Sequence, residues 1–420
     1  MKLSSRAKRW ICTSLVVFAS CGDPPAPRSG VPTLDDVAGK SDGFAFVSAG
    51  REHTCALTTD GSAYCWGSNE FGQLGVADDN TRCARGDRHI PCRRVPVAVA
   101  STLKFQKISA GGAHTCALTL DYHIYCWGDN ARGALGDPGL AQVFAPAPIA
   151  SSALYMDVAA GGAHTCGLRT DGVVQCWGAN DDGQLGIYAI GTGTAVPTNA
   201  VTNQRFASIS AGDSRTCART ATGLAYCWGT MFLLQGTTDL TRSQSTPQLV
   251  AQDTLFQSVN VGTNSTCGIT VGNRAFCWES NKSGSIGNDT AAGSATPIEV
   301  KTTRDFVAIS SGAAESCGIA DDGLAYCWGG DNLGQLGISP ALLDSRCGPA
   351  AIVCSRVPVR VAGWRVFSQI SAGLADHVCA LTIGGNIYCW GAGSMGQRGD
   401  GRTTTGEWAP AKTKGIGAGP

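Results

Sequence analysis

Beyond residue 43 the chain alternates short apolar runs with polar, glycine-bearing interruptions, a pattern that predicts strands and leaves little room for long helices. One stretch shows the unit. "FQKISA" at 105–110, "HTCALT" at 114–119 and "IYCWG" at 124–128 read as three strands, and segments around proline and valine, such as "TPIEV" at 296–300, read as a fourth. Apolar runs without strict alternation suit strands covered on both faces. The 56 glycines among 420 residues fit tight turns between them.

The unit recurs seven times. Pairs of cysteines ten positions apart mark each copy: Cys55/Cys65, Cys116/Cys126, Cys166/Cys176, Cys217/Cys227, Cys267/Cys277, Cys317/Cys327 and Cys379/Cys389, with a tryptophan after each second cysteine. A period near 50 residues suits one four-stranded propeller blade. Four strands cannot bury both faces alone, but seven sheets in a ring use one another as core. The expected fold is therefore all-β: a seven-bladed propeller of four-stranded antiparallel blades.

In "CALTTDGSAYC" a three-residue loop at Thr59, Asp60 and Gly61, with glycine left-handed, sets Cys55 opposite Cys65; a two-residue turn would oppose Cys55 to Trp66. Gly172, Gly223, Gly323 and Gly385 fill the same position, Asn273 is tolerated there, and Tyr122 predicts a different turn in blade two. Opposed cysteines in an exported chain are expected to form cross-strand disulfides, and the pairs Cys83/Cys92 and Cys347/Cys354 bring the total to nine. Zinc is the competing reading, but zinc sites favour close CxxC pairs and the sequence has none.

Residues 1–20 carry a basic start and the short apolar run "WICTSLVVFAS", as an export signal does, and "FAS-C" resembles a lipobox with Cys21 as the lipidated residue. Conventional cleavage or an uncleaved anchor are the alternatives. Residues 21–43 read as a flexible tether, 44–413 as the propeller and 414–420 as a tail. The expected location is the bacterial cell envelope, as a lipoprotein facing the periplasm or on the outer membrane, or else secreted. A formal net charge of zero points to no nucleic-acid partner, and membrane contact is expected only through the lipid.

The assembled word "F..ISAG..HTCALT.DG..YCWG.N..GQLG" resembles the regulator of chromosome condensation repeat. That resemblance implies a seven-bladed propeller and a fold that hosts several functions. Its eukaryotic namesake exchanges nucleotide on a small GTPase through loops that match no stretch here; a plant photoreceptor of the same fold uses "GWRHT" words, whereas this chain has "GGAHT" and "GREHT". A secreted inhibitor of β-lactamases shares the fold and acts by binding. The resemblance implies recognition rather than chemistry.

His53, His114, His164 and His377 fall at or near one word of four copies; the plainer reading is structural, with Arg215, Ser265 and Glu315 in their place elsewhere. No catalytic constellation stands out. Two insertions break the period between third and fourth strands, at 76–96 and 339–358, each with its own cysteine pair, and the loop before His377 is one residue longer than its counterparts. All three would share one sector of one face. Arg82, Arg85, Arg88, His89, Arg93, Arg94, Arg346, Arg356 and His377 are the candidate partner-binding residues, for an unknown protein or glycan with acidic groups. The expectation is a monomer with no cofactor, no metal and no enzymatic activity. An enzyme or enzyme inhibitor acting from the same face, or a purely structural component, are the alternatives. "RGD" at 85–87 is a three-residue match of the kind chance supplies.

Overall fold

The structure is a computed structural model that describes residues 43–417, apart from 236–237, 344 and 349–350. Cys21 and the rest of the segment before residue 43 lie outside the described residues. Seven antiparallel sheets follow one another along the chain, spanning 44–98, 105–148, 155–199, 206–249, 256–299, 306–360 and 367–412. Blade one shows the plan, with strands Phe44–Ala49, His53–Thr58, Ala63–Ser68 and Arg88–Ala98 in sheet order. Each blade packs on the next and the seventh packs on the first, so the sheets form a closed ring. No helix among the described residues is long and apolar enough to cross a membrane.

The first strands line a central channel of about 360 Å³. The core lies between blades rather than within them. Cys55, Leu57, Cys65 and Leu74 of blade one, for example, pack against Phe105, Ile108, Ala117 and Trp127 of blade two. The same contact closes the ring, where Phe44, Val47 and Trp66 meet Leu381, Ile387 and the Cys379/Cys389 pair. The proline-bearing segment near the end of the described residues supplies the fourth strand of blade seven, Gly406–Lys412.

The register is the one the three-residue loop demands. Cys55 stands directly opposite Cys65 on the neighbouring strand, and six further pairs repeat this: Cys116 faces Cys126, Cys166 faces Cys176, Cys217 faces Cys227, Cys267 faces Cys277, Cys317 faces Cys327 and Cys379 faces Cys389. All seven are disulfides with Cα atoms 4.1 Å apart. Every one of these fourteen sulfur-bearing residues is buried at a seam, with Cys126, Cys176, Cys227, Cys277 and Cys327 each 0% exposed, so the bonds are sheltered within the ring. Cys83–Cys92 and Cys347–Cys354 complete the nine.

Blade two corrects the expectation for its turn. Tyr122 adopts φ +68° and closes the same loop as Gly61, its N–H donating to the Thr119 carbonyl at 3.1 Å. The reason lies in the next blade. The carbonyl of this turn residue accepts the N–H of the aromatic that starts the following blade: Tyr122 from Tyr155 at 2.8 Å, Gly61 from Phe105 at 2.9 Å, Gly172 from Phe206 at 2.9 Å. An interblade latch imposes the left-handed backbone even on tyrosine, at a cost of about 1–2 kcal/mol.

Candidate functional site

The repeated words of the copies build a clasp at each seam. Thr115 of blade two donates its hydroxyl to the Gln73 carbonyl of blade one at 2.8 Å, and Trp127 Nε1 donates to the same oxygen at 3.0 Å. With its proton so engaged, the Thr115 hydroxyl can only accept from His53 Nε2, at 2.9 Å. His114 with Thr165, His164 with Thr216 and His377 with Thr54 repeat the arrangement. The four histidines are therefore interblade ties. Burial pushes His53, His164 and His377 down to about 3 and His114 to about 4, so all four are neutral.

Three seams depart from this plan. Blade four lacks the loop that presents the carbonyl; its third and fourth strands, Ala225–Gln235 and Thr238–Leu249, instead run on as a long two-stranded ribbon. Glu279, at a position held by glycine in the other copies and itself at φ +84°, fills part of the gap. Its carboxylate accepts from Thr266 at 3.0 Å and pairs with Arg215, which stands in for histidine. Trp278 Nε1 has no partner among the described residues, because its acceptor went with the loop. Blade five carries Ser265 for histidine, and blade six carries Glu315 facing Val378, which has no hydroxyl.

The two insertions form hairpins on one face, each extending the fourth strand of its blade. In blade one Arg82–Arg85 pairs with Arg88–Ala98 around a tip at Gly86 and Asp87. Its base is fixed. Cys83, Ile90 and Cys92 pack on Met395 of blade seven, and the Arg94 carbonyl accepts the Gly401 N–H at 3.0 Å. In blade six Ser345–Cys347 pairs with Ile352–Arg360, and the Arg356 carbonyl accepts from Asp289 N–H of blade five at 2.9 Å. Each hairpin thus leans on the preceding blade: one covers blade seven, while the other turns toward blade five. The blade-four ribbon is a third elaboration on this face, outside the sector that the sequence pattern marks out.

The basic residues divide into two groups. Arg82 pairs with Asp78, Arg85 with Glu52 and Glu70, Arg88 with Glu70, and Arg93 with Asp79. Arg93 is also only 8% exposed, donating to the carbonyls of Cys92 and Ala77. These side chains brace the hairpin. His377 is a correction to the candidate set: it is 0% exposed and tied to Thr54, so it has no surface to offer a partner. His89, Arg94 and Arg346 are exposed and Arg356 is half-buried, and none of the four has a carboxylate partner among the described residues.

Sequence reasoning missed what closes the channel on this face. Arg51 of blade one pairs with Asp213 of blade four across the mouth. Leu374, in the lengthened loop of blade seven, has its carbonyl bound by Thr263 Oγ1 of blade five at 3.3 Å. The signal was present as departures from "GGA": Arg51 and Asp213 each break that word. Among the described residues no cluster of three or more histidine, cysteine or acidic side chains could hold a metal.

Comparison with known proteins agrees with the geometry. Models of the regulator of chromosome condensation (RCC1) repeat match residues 44–73, 105–134, 157–184, 206–232 and 367–397, and a second model of the same repeat matches 60–118 and 123–168. Human probable E3 ubiquitin-protein ligase HERC4 is 36% identical over 84 residues, which are 20% of this chain and 7% of that protein. The match to that relative is confined to a small part of its length. Among solved structures, yeast RCC1 bound to Kap60 superposes with a TM-score of 0.71 at 19% identity, covering 99% of this chain and 91% of that one. The CRINKLY ectodomain of the Arabidopsis thaliana receptor kinase ACR4 gives a TM-score of 0.51 at 20% identity, covering 89% and 98%.

Proposed function

The chain belongs to the regulator of chromosome condensation repeat family, and on that premise we propose that it is a non-enzymatic recognition module. Its partner is a protein or glycan bearing acidic groups, held by the face that carries hairpins 76–96 and 339–358. One observation carries the reading: two disulfide-stapled hairpins stand anchored on a single face and present His89, Arg94, Arg346 and Arg356, which have no carboxylate partner among the described residues. A preformed loop gives up little entropy on binding. Yeast RCC1, of the same fold, is bound to the protein Kap60 in its solved structure, which favours binding over chemistry. The ligase activity in the HERC4 name belongs to a protein of which this chain matches a small part.

On the same reading the protein works outside the cytoplasm, tethered through lipid on Cys21. Nine disulfides call for an oxidising compartment, and residues 1–20 have the character of an export signal. The plant neighbour, the CRINKLY ectodomain of ACR4, is a propeller of similar fold in an ectodomain.

Crosslinking in the native membrane fraction tests the reading. Arg94→Ser, Arg346→Ser and Arg356→Ser together should weaken capture of the partner and flatten its salt dependence. Unchanged capture by this variant, with capture lost instead on altering the opposite face, would remove the hairpins from the site.

A further inference from the structure

The seam between blades six and seven collects three acidic residues where the other copies have none together. Glu315 replaces histidine, Asp331 replaces the asparagine found as Asn69, Asn130, Asn180 and Asn281, and Asp376 stands before the histidine word where Ala113, Ala163 and Ala314 stand in other copies. Glu315 is 0% and Asp331 3% exposed. No lysine, arginine or histidine among the described residues pairs with any of the three.

The repeat states what each position needs. Asn69, Asn180 and Asn281 accept a backbone N–H through Oδ1 and donate through Nδ2 to carbonyls of the following connection, those of Val76, Ala189 and Thr290 at 3.0, 2.7 and 2.9 Å. Asp331 keeps the first bond, from Leu336 N–H at 2.9 Å, but its Oδ2 stands at the donor's place with no partner among the described residues. Glu315 repeats the problem. Its Oε1 is also unpartnered, and a methyl group on Gly312 would strike both this oxygen and the Gly373 carbonyl, so two acceptors flank one point. At Asp331 an acceptor occupies a donor's site, and at Glu315 it lies beside a carbonyl; a proton turns either oxygen into a donor.

We propose that this seam is closed by protons, one on Glu315 and one on Asp331, which makes it a joint that loosens as pH rises. The groups facing Glu315 are Asp376 from blade seven and Asp331 from its own blade, both of which oppose its ionisation, after burial itself. Asp376 accepts from Gln335 Nε2 at 3.1 Å, and Arg398 of blade seven is engaged with the Gly391 carbonyl, Asp400 and Thr404. Burial lifts Asp331 to about 6. The three carboxyls do not converge as metal ligands do. Asp331 N–H donates to the Val353 carbonyl at 2.8 Å, so the joint sits at the root of the blade-six hairpin.

Thermal unfolding of the full chain between pH 7.5 and 9, where the histidines are neutral in both states, tests the inference without reference to any partner. The wild-type midpoint should fall as pH rises, and Glu315→Gln should be flat and higher at pH 9. Asp331→Asn should be more stable than wild type at pH 7. Should either variant fail to fold, amide exchange in the wild type gives a second readout: protection of Leu336 relative to Leu185, its counterpart on Asn180, should fall up to about tenfold per unit between pH 5 and 6. Parallel wild-type and variant profiles, constant relative protection, or a midpoint raised by calcium and lowered by chelator would overturn it, the last by showing a cation where protons are inferred.

Discussion

His377 Nε2 donates to Thr54 Oγ1 at 3.0 Å, so the last blade is tied to the first by a neutral imidazole. Three more such ties hold blades one to four together. A histidine whose folded value is depressed contributes stability above its unfolded value near 6.5 and loses it as pH falls toward the folded value near 3. Each contributes a loss of about 1.4 kcal/mol per pH unit below 6.5. By pH 4.5 four of them amount to on the order of 10 kcal/mol, comparable with a whole domain's stability. Chemical denaturation across pH 4.5 to 7 should show stability falling steeply below 6.5; a level profile would contradict it.

Tyr122 carries backbone strain that its glycine counterparts avoid. Tyr122→Gly should therefore stabilise the protein by about 0.5–1 kcal/mol, the left-handed penalty less the added freedom of the unfolded chain. Equilibrium unfolding in guanidinium measures it, with a loss of stability as the contrary result. Gly172→Tyr, at the equivalent turn, should lose about 1–2 kcal/mol.

Arg215 and Glu279 form a buried pair at the seam where blade four lost its loop. Burial alone lowers the Arg215 guanidinium to about 9, which leaves it charged at neutral pH. Glu279→Ala would strand that charge and should cost about 3–5 kcal/mol. The double change Arg215→His with Glu279→Gly restores the residues of the intact seams and should cost much less than the two single changes together. A double-mutant cycle of unfolding free energies decides; additive losses would mean that the two residues act independently.

The seven blades were legible because a ten-residue cysteine spacing, a "DG" turn and a trailing tryptophan each had a geometric reason that one copy sufficed to show. The blade-four ribbon was not, because loss of "GQLG" reads as decay when its replacement is a longer pair of strands. The candidate arginines were over-read for a similar reason. Glu52 and Glu70, which neutralise Arg85 and Arg88, lie outside the insertion and meet it only in the fold. Arg51 and Asp213 are 162 residues apart, and nothing local reports that their blades face one another across the channel.

The deletion of one hairpin separates scaffold from site. Replacing residues 82–90 by a short glycine-containing turn, with Cys92→Ser so that no thiol is left without its partner, should leave the melting midpoint within a few degrees, because the blade-one disulfide Cys55–Cys65 and the clasp at Thr54 remain. The exposed Met395 surface that results should lower solubility rather than stability. Loss of cooperative unfolding would show that the hairpin holds the ring.

The account depends most on seven hairpins each closed within itself by sulfur. Peptide mapping of the unreduced protein by mass spectrometry tests it directly. The predicted map links Cys55–Cys65, Cys116–Cys126, Cys166–Cys176, Cys217–Cys227, Cys267–Cys277, Cys317–Cys327 and Cys379–Cys389, together with Cys83–Cys92 and Cys347–Cys354 in the hairpins. Free thiols at these positions, or links running between blades, would contradict it.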